Sequence, residues 1–201
     1  MKQIAFIVFL IAVALATTLV YHSTQKAEIN YYQGHDLFVK GDYQAAIPYF
    51  TRAVAVNPDY KEALIELAYS LLWSGKSKES IDVFNRLLTL DPHSSKSKKS
   101  LAAAYSWNKE YAKAEALYLE VIAARNGDVD AKRKLAEVYI WGQQYEKADH
   151  ILRAILKENP GDVRANFLYA KALQYSGRTA EAAKIYRQLL GEKNPGARSQ
   201  V

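Results

Sequence analysis

The three tryptophans of this chain, Trp73, Trp107 and Trp141, stand 34 residues apart, and one further step of the same length reaches Tyr175. Aligning the sequence on that step divides it, without insertion or deletion, into units 27–60, 61–94, 95–128, 129–162 and 163–196. A fixed period of this length is the mark of a helical solenoid, in which each unit is one supersecondary element that buries its apolar face only against its neighbours. The period therefore constrains the fold more than any bulk property does.

Within each unit the side-chain sizes repeat. Small residues recur at the eighth place, as Gly34, Ala68, Ala102, Ala136 and Ala170, and at the twentieth, as Ala46, Ser80, Ala114, Ala148 and Ala182. Such positions let two helices approach closely. Large residues fill the space between: Leu37, Leu71, Tyr105, Tyr139 and Leu173 at the eleventh place, and Phe50, Phe84, Tyr118, Leu152 and Tyr186 at the twenty-fourth. Gly41-Asp42 and Gly75 mark turns between helices, and Pro58, Pro92 and Pro160 stop the second helix of a unit.

The first unit, "AEINYYQGHDLFVKGDYQAAIPYFTRAVAVNPDY", resembles the tetratricopeptide repeat (TPR), with Gly34, Ala46, Phe50, Ala53 and Pro58 at the family's places. The resemblance covers residues 27 to about 195 and implies an all-α fold. The family builds antiparallel helix pairs stacked into a right-handed solenoid, with the first helix of each pair lining a concave groove. Two departures stand out. The fourth place, where the family prefers Trp or Leu, holds Asn30, Leu64, Lys98, Lys132 and Asn166, and the third unit ends in "RNGD" without its proline.

On the first helix of each pair, the second, fifth, ninth and thirteenth places share one face. By the resemblance that face lines the groove. It reads Glu62, Ile65, Tyr69, Trp73 in the second unit and Lys96, Lys99, Ala103, Trp107 in the third. The fourth offers Asp130, Arg133, Glu137, Trp141, and the fifth Arg164, Phe167, Lys171, Tyr175. Two readings of the aromatic stripe compete. It is either packing between successive repeats or a ligand-contacting surface. The last three units set five cations against two anions on this face, which suits an acidic, partly aromatic peptide or an anionic glycan. The groove candidates are Tyr69, Trp73, Lys96, Lys99, Trp107, Arg133, Trp141, Arg164, Lys171 and Tyr175.

The amino terminus differs from the rest. Residues 4–21, "IAFIVFLIAVALATTLVY", carry no charge. As a helix this run is about 27 Å long, close to the roughly 30 Å hydrocarbon core of a bilayer. Residues 1–26 are thus expected to form a transmembrane anchor with a short linker, ahead of a repeat domain over 27–196 and a tail over 197–201. The alternative is a signal peptide cleaved after Ala14-Leu15-Ala16, leaving a secreted or periplasmic protein that begins at Thr17. Charge flanking the run slightly favours a cytoplasmic amino terminus and an exported repeat domain in the periplasm. No proline or glycine lies between Tyr21 and Gly34, so a membrane helix is expected to continue directly into the first repeat helix.

Recognisable catalytic chemistry is absent: the sequence holds no glycine-rich phosphate loop, no HExxH and no GxSxG. No enzyme activity, metal or cofactor is expected. The four histidines fall in different phases of the repeat, so surface positions are expected for them. With no cysteine there is no disulfide framework, and a net charge of +6 without a basic-aromatic run argues against a nucleic-acid partner. The family's carboxylate clamp is missing, because its first places read Tyr31, His35 and Tyr69. The carboxyl end lacks an evident polar cap, which leaves Ile185, Leu189 and Leu190 as a surface for self-association or partner docking. The sequence thus reads as a membrane-tethered scaffold for protein or peptide partners, most simply in assembly of a bacterial envelope complex. Two other functions stay open. "WG" at Trp141-Gly142 is similar to repeats of exopolysaccharide export proteins, and an inverted topology would make an organelle import receptor.

Overall fold

The computed structural model describes residues 2–125 and 127–191, with the side chains of 2–5, 8 and 23 outside the description. Among the described residues the chain forms ten α-helices: α1 (Lys2–Val39), α2 (Tyr43–Val56), α3 (Lys61–Trp73), α4 (Ser77–Leu90), α5 (Ser95–Trp107), α6 (Tyr111–Ala124), α7 (Val129–Trp141), α8 (Tyr145–Glu158), α9 (Val163–Tyr175) and α10 (Thr179–Leu189). The 34-residue period is written directly into these boundaries. Every turn inside a repeat has three residues and every connection between repeats has four. The thirteenth place is always the last residue of the first helix.

The turn inside each repeat needs one residue in the left-handed region. Gly41, Gly75 and Gly177 supply it at φ near +80°, where a residue without Cβ meets no steric penalty. In the third and fourth repeats the same place is held by Lys109 at φ 62° and Gln143 at φ 59°. Helix starts are capped where aspartate is available: the carboxylates of Asp42, Asp128 and Asp162 accept from the backbone N–H of Ala45, Ala131 and Ala165.

The chain divides into two compact units, Met1–Ser94 and Ser95–Val201, and the division falls between the second and third repeats. In unit 1, α1 packs on α2, α2 on α3 and α3 on α4, with α1 also touching α3. Its core includes Ala46, Phe50, Ala63, Leu64, Ala68, Leu71 and Phe84. In unit 2 each of α5 to α10 packs on the next, while α7 also contacts α5 and α9. Its core centres on Ala102, Ala114, Tyr118, Leu135, Ala136, Ala148, Leu152 and Ala165. The eighth and twentieth places are buried in every repeat, as close helix approach requires. At Gly34 the approach is tightest, since a Cβ there would lie 2.8 Å from the Phe50 ring.

The departures at the fourth place have local explanations. Asn30 is buried, and its amide donates to the carbonyl of Lys26 one turn back. Lys98 reaches out to Glu120 at 2.7 Å.

Helix α1 runs unbroken from the apolar segment into the first repeat, and residues 22–26 are helical. Phe6, Ile7, Phe9, Leu10, Ile11, Leu15, Leu19 and Val20 are all exposed, whereas Ala27 and Asn30 are buried in unit 1. Among the described residues, no helix is long and apolar enough to cross a membrane. At the other end, Ile185 and Leu189 are half-buried and Leu190 is exposed. The tail over 197–201 lies outside the described residues.

Candidate functional site: the aromatic and charged faces of the two units

In unit 1 the first helices of the two repeats meet through rings. Trp73, at the end of α3, stacks on Phe38 of α1 at 5.6 Å and on Tyr69 at 5.1 Å, and lies 4.7 Å from the Tyr43 ring at the start of α2. Phe38 leads to Phe50 and Phe50 to Tyr31. Tyr31 in turn contacts Tyr32, Tyr60 and His35. Offset and edge contacts of this kind each add about 0.5–1.5 kcal/mol beyond area burial. One carboxylate sits inside the network. Glu66 of α3 accepts from the Tyr31 hydroxyl at 3.0 Å and is bonded to His35 Nδ1 at 2.9 Å. Burial, reinforced by the bond to Glu66, pushes the Tyr31 phenol well above its ordinary range. The expectation of a surface position for His35 misses this bond: His35 is half-buried, because the next repeat brings Glu66 against it.

Unit 2 joins its repeats through ion pairs. Lys99 of α5 reaches Asp128 at 3.2 Å and Asp130 at 3.1 Å. Arg133 of α7 meets Asp162 at 2.6 Å. Glu137 receives Lys134 from its own helix at 2.7 Å and Arg164 of α9 at 3.2 Å. Desolvation would raise the Asp162 carboxyl, but the Ala165 N–H bond and the Arg133 guanidinium outweigh it, and the group is held below its ordinary value. Asp128 is lowered in the same way, against desolvation, by the Ala131 N–H and by Lys99. Lys99 is correspondingly raised: burial opposes its charge, but bonds to Asp130 and Asp128 win.

These pairs change the meaning of the cationic face. Lys99, Arg133 and Arg164 are turned toward acids of a neighbouring helix rather than left free for a ligand. Lys96 is exposed, and Lys171 lies 5.9 Å from the centre of the Tyr175 ring. The structure brings together Tyr69 with Trp73 in unit 1, and Lys171 with Tyr175 in unit 2.

The aromatic stripe is both packed and open. Trp73, Trp107, Trp141 and Tyr175 remain 47%, 61%, 41% and 53% exposed at the ends of their helices. Two of them also touch the preceding repeat. Trp73 meets Tyr43, and Tyr175 meets Tyr145 at 6.3 Å, each over a separation of 30 residues. Tyr111 holds the same place before Trp141, and its ring lies 3.5 Å from where a Cβ on Gly142 would stand. Sequence reasoning missed Phe38, Tyr43, His35 and Glu66. The signal for Tyr43 was present, because tyrosine recurs at the seventeenth place as Tyr43, Tyr111 and Tyr145.

Family models described as tetratricopeptide repeat match residues 31–95, 108–158 and 143–200. No curated protein matches the sequence. Among solved structures, the chain is similar to a MamA protein at 23% identity and a TM-score of 0.67, over 88% of this chain and 97% of that one. It is similar to a putative kinesin light chain of TPR-like repeats from Podosopora anserina at 19% identity and a TM-score of 0.71, over 89% and 99%. A tetratricopeptide repeat protein from Parabacteroides merdae matches at 22% identity and a TM-score of 0.69, over 87% and 68%. At these identities the likeness is one of fold. Over more than half of its length the sequence matches the repeat family, and the chain belongs to the tetratricopeptide repeat family.

Proposed function

We propose that this protein is a membrane-tethered scaffold, without catalytic activity of its own, that presents its repeat surfaces to protein partners during assembly of a bacterial envelope complex. The fold is that of a tetratricopeptide repeat scaffold, a fold suited to protein–protein contact. The half-exposed aromatic residues at the helix ends are the surface offered.

The observation that carries the tether is α1. A helix apolar on every face is stable only when its whole circumference leaves water, in a protein core or in lipid. Here the run over 4–21 has no charge, its described side chains are exposed, and the helix continues into the first repeat. The anchor reading places the repeats on the periplasmic side, following the slight excess of positive charge before the run.

The test is fractionation of the full chain expressed in a bacterial host. Retention in the membrane pellet after alkaline extraction is the expected outcome, with release caused by Leu10→Arg together with Val13→Arg. A mature protein that begins at Thr17 and stays in the soluble fraction would sink the tether. Protease access from the periplasmic side checks the orientation.

A further inference from the structure

We infer that the face shared by α1 and α3 in unit 1 is a docking surface for a cationic peptide segment, whose arginine or lysine side chains lie over exposed rings and between Glu28, Glu62 and Glu66. This deepens the scaffold reading and rests on it.

The surface is aromatic first. Tyr32 is 64% exposed beside Tyr31, and Trp73 stands open above Tyr69 and Phe38. Ring faces of this kind attract a guanidinium or ammonium group through their quadrupole, more strongly as water is excluded.

Charge selects the occupant. Glu28 and Glu62 occupy the second place of the first and second repeats, and among the described residues neither forms an ion pair. Glu66 is nearly covered, with its side chain 15% exposed, and among the described residues its partners are a phenol and the His35 ring rather than a lysine or arginine. All three carboxylates act on the Tyr60 ring. The Tyr60 phenol is raised by burial first, and then by the fields of Tyr32, Glu28, Glu62 and Glu66. A carboxylate with little access to water and no strong cation is stabilised by a charge-assisted bond from an incoming guanidinium. An acidic segment would meet three like charges there.

The contrast with unit 2 supports this assignment. Of the 27 basic and 21 acidic residues, 8 and 9 lie in residues 1–94, against 19 and 12 in residues 95–201, so the net +6 divides into −1 and +7. In unit 2 the acids of the first-helix face are already matched by Lys99, Arg133, Lys134 and Arg164. Among the described residues of the first-helix faces, the acids without an ion pair are Glu28 and Glu62 of unit 1.

The experiment uses the full chain in a neutral detergent, carrying Trp107→Phe and Trp141→Phe so that Trp73 is the sole tryptophan. Three short peptides are titrated, in which alanine alternates with arginine, with its neutral isostere citrulline, or with glutamate. The expected result is a change in Trp73 emission with the arginine peptide alone, weakening as salt is raised. Adding Glu28→Gln and Glu62→Gln, both exposed positions, should weaken that binding by about tenfold or more. Unchanged circular dichroism establishes that these variants still fold.

Equal binding of the citrulline peptide, unchanged affinity in the glutamine variant, or a silent Trp73 each overturns the inference. A response to the glutamate peptide overturns the charge assignment and leaves the scaffold reading standing. Failure of all three peptides, with the chain still retained in membranes, likewise ends this inference alone.

Discussion

Unit 1 and unit 2 repeat the same backbone yet join their first helices with different materials. In unit 1 a continuous path of rings runs from Tyr60 through Tyr31, Phe50 and Phe38 to Trp73 and Tyr69. Among the described residues of unit 2 the ring contacts are two separate pairs, Tyr145 with Tyr175 and Phe167 with Tyr186, and ion pairs link helix to helix. The repeat thus fixes where helices lie but not which chemistry holds adjacent repeats together. Ring contacts are indifferent to salt, whereas partly exposed ion pairs are screened and contribute about 0–1 kcal/mol each.

The largest effect that can break this comparison comes from Phe50. Its ring is fully buried, seats against Gly34 and links Tyr31 to Phe38. Phe50→Ala should cost about 3–5 kcal/mol. Hydrogen exchange read helix by helix should show the loss concentrated in α1 to α3. A loss spread evenly over both units would mean that the ring network is not a local device.

Next comes Asp162, which caps α9 and pairs with Arg133. Asp162→Ala should cost about 1–3 kcal/mol, since cap and ion pair are lost together. The same group sets a pH dependence. Because the folded carboxyls of Asp162 and Asp128 lie below their ordinary values, their stabilisation is present above the unfolded carboxylate range. It is lost as pH falls through the lowered folded values. Acid should therefore loosen α5 to α9 in excess of α1 to α4, as followed by exchange in steps from neutral pH to below about 4.

The tryptophans sharpen the contrast on a smaller scale. Trp73 contacts three rings, while Trp107, the most exposed of the stripe, has no ring contact among the described residues. Trp73→Ala should cost about 1–3 kcal/mol and Trp107→Ala under about 1 kcal/mol. Chemical denaturation measures both, and equal costs would show that Trp107 packs as Trp73 does.

The smallest effect is a gain. Lys109→Gly and Gln143→Gly replace left-handed non-glycine residues by what unit 1 already uses at Gly41 and Gly75. Each should stabilise unit 2 by up to about 1 kcal/mol, because the Cβ penalty at positive φ is removed. Midpoints that fall instead would assign these two side chains a contact of their own.

Much of this fold was legible because a solenoid is built from contacts local in sequence. The eighth and twentieth places announce close helix approach, and all ten are buried. The tryptophan spacing places the end of every first helix. The partners across repeats were harder to read. Lys99, Arg133 and Arg164 read as cations facing an open groove, because the acids that meet them belong to other helices. Their pattern was nonetheless in the chain: Lys99 to Asp128 and Arg133 to Asp162 share one separation of 29 residues. Glu66 offered no such signal. Its binding to Tyr31 and His35 depends on the particular residues of the first repeat, and no periodic rule predicts it.

The unbroken α1 has an angular consequence. An α-helix turns about 100° and advances about 1.5 Å with each residue. Since no flexible joint separates the apolar run from the first repeat, the number of residues between them sets the azimuth of the first two repeats about the helix axis. Deleting one residue from the stretch 22–26 would swing the ring-bearing face of α1 and α3 through more than a quarter-turn relative to Phe9 and Leu10, while moving it only about 1.5 Å along the axis. Helix length in this protein is therefore a dial that sets which way the face points.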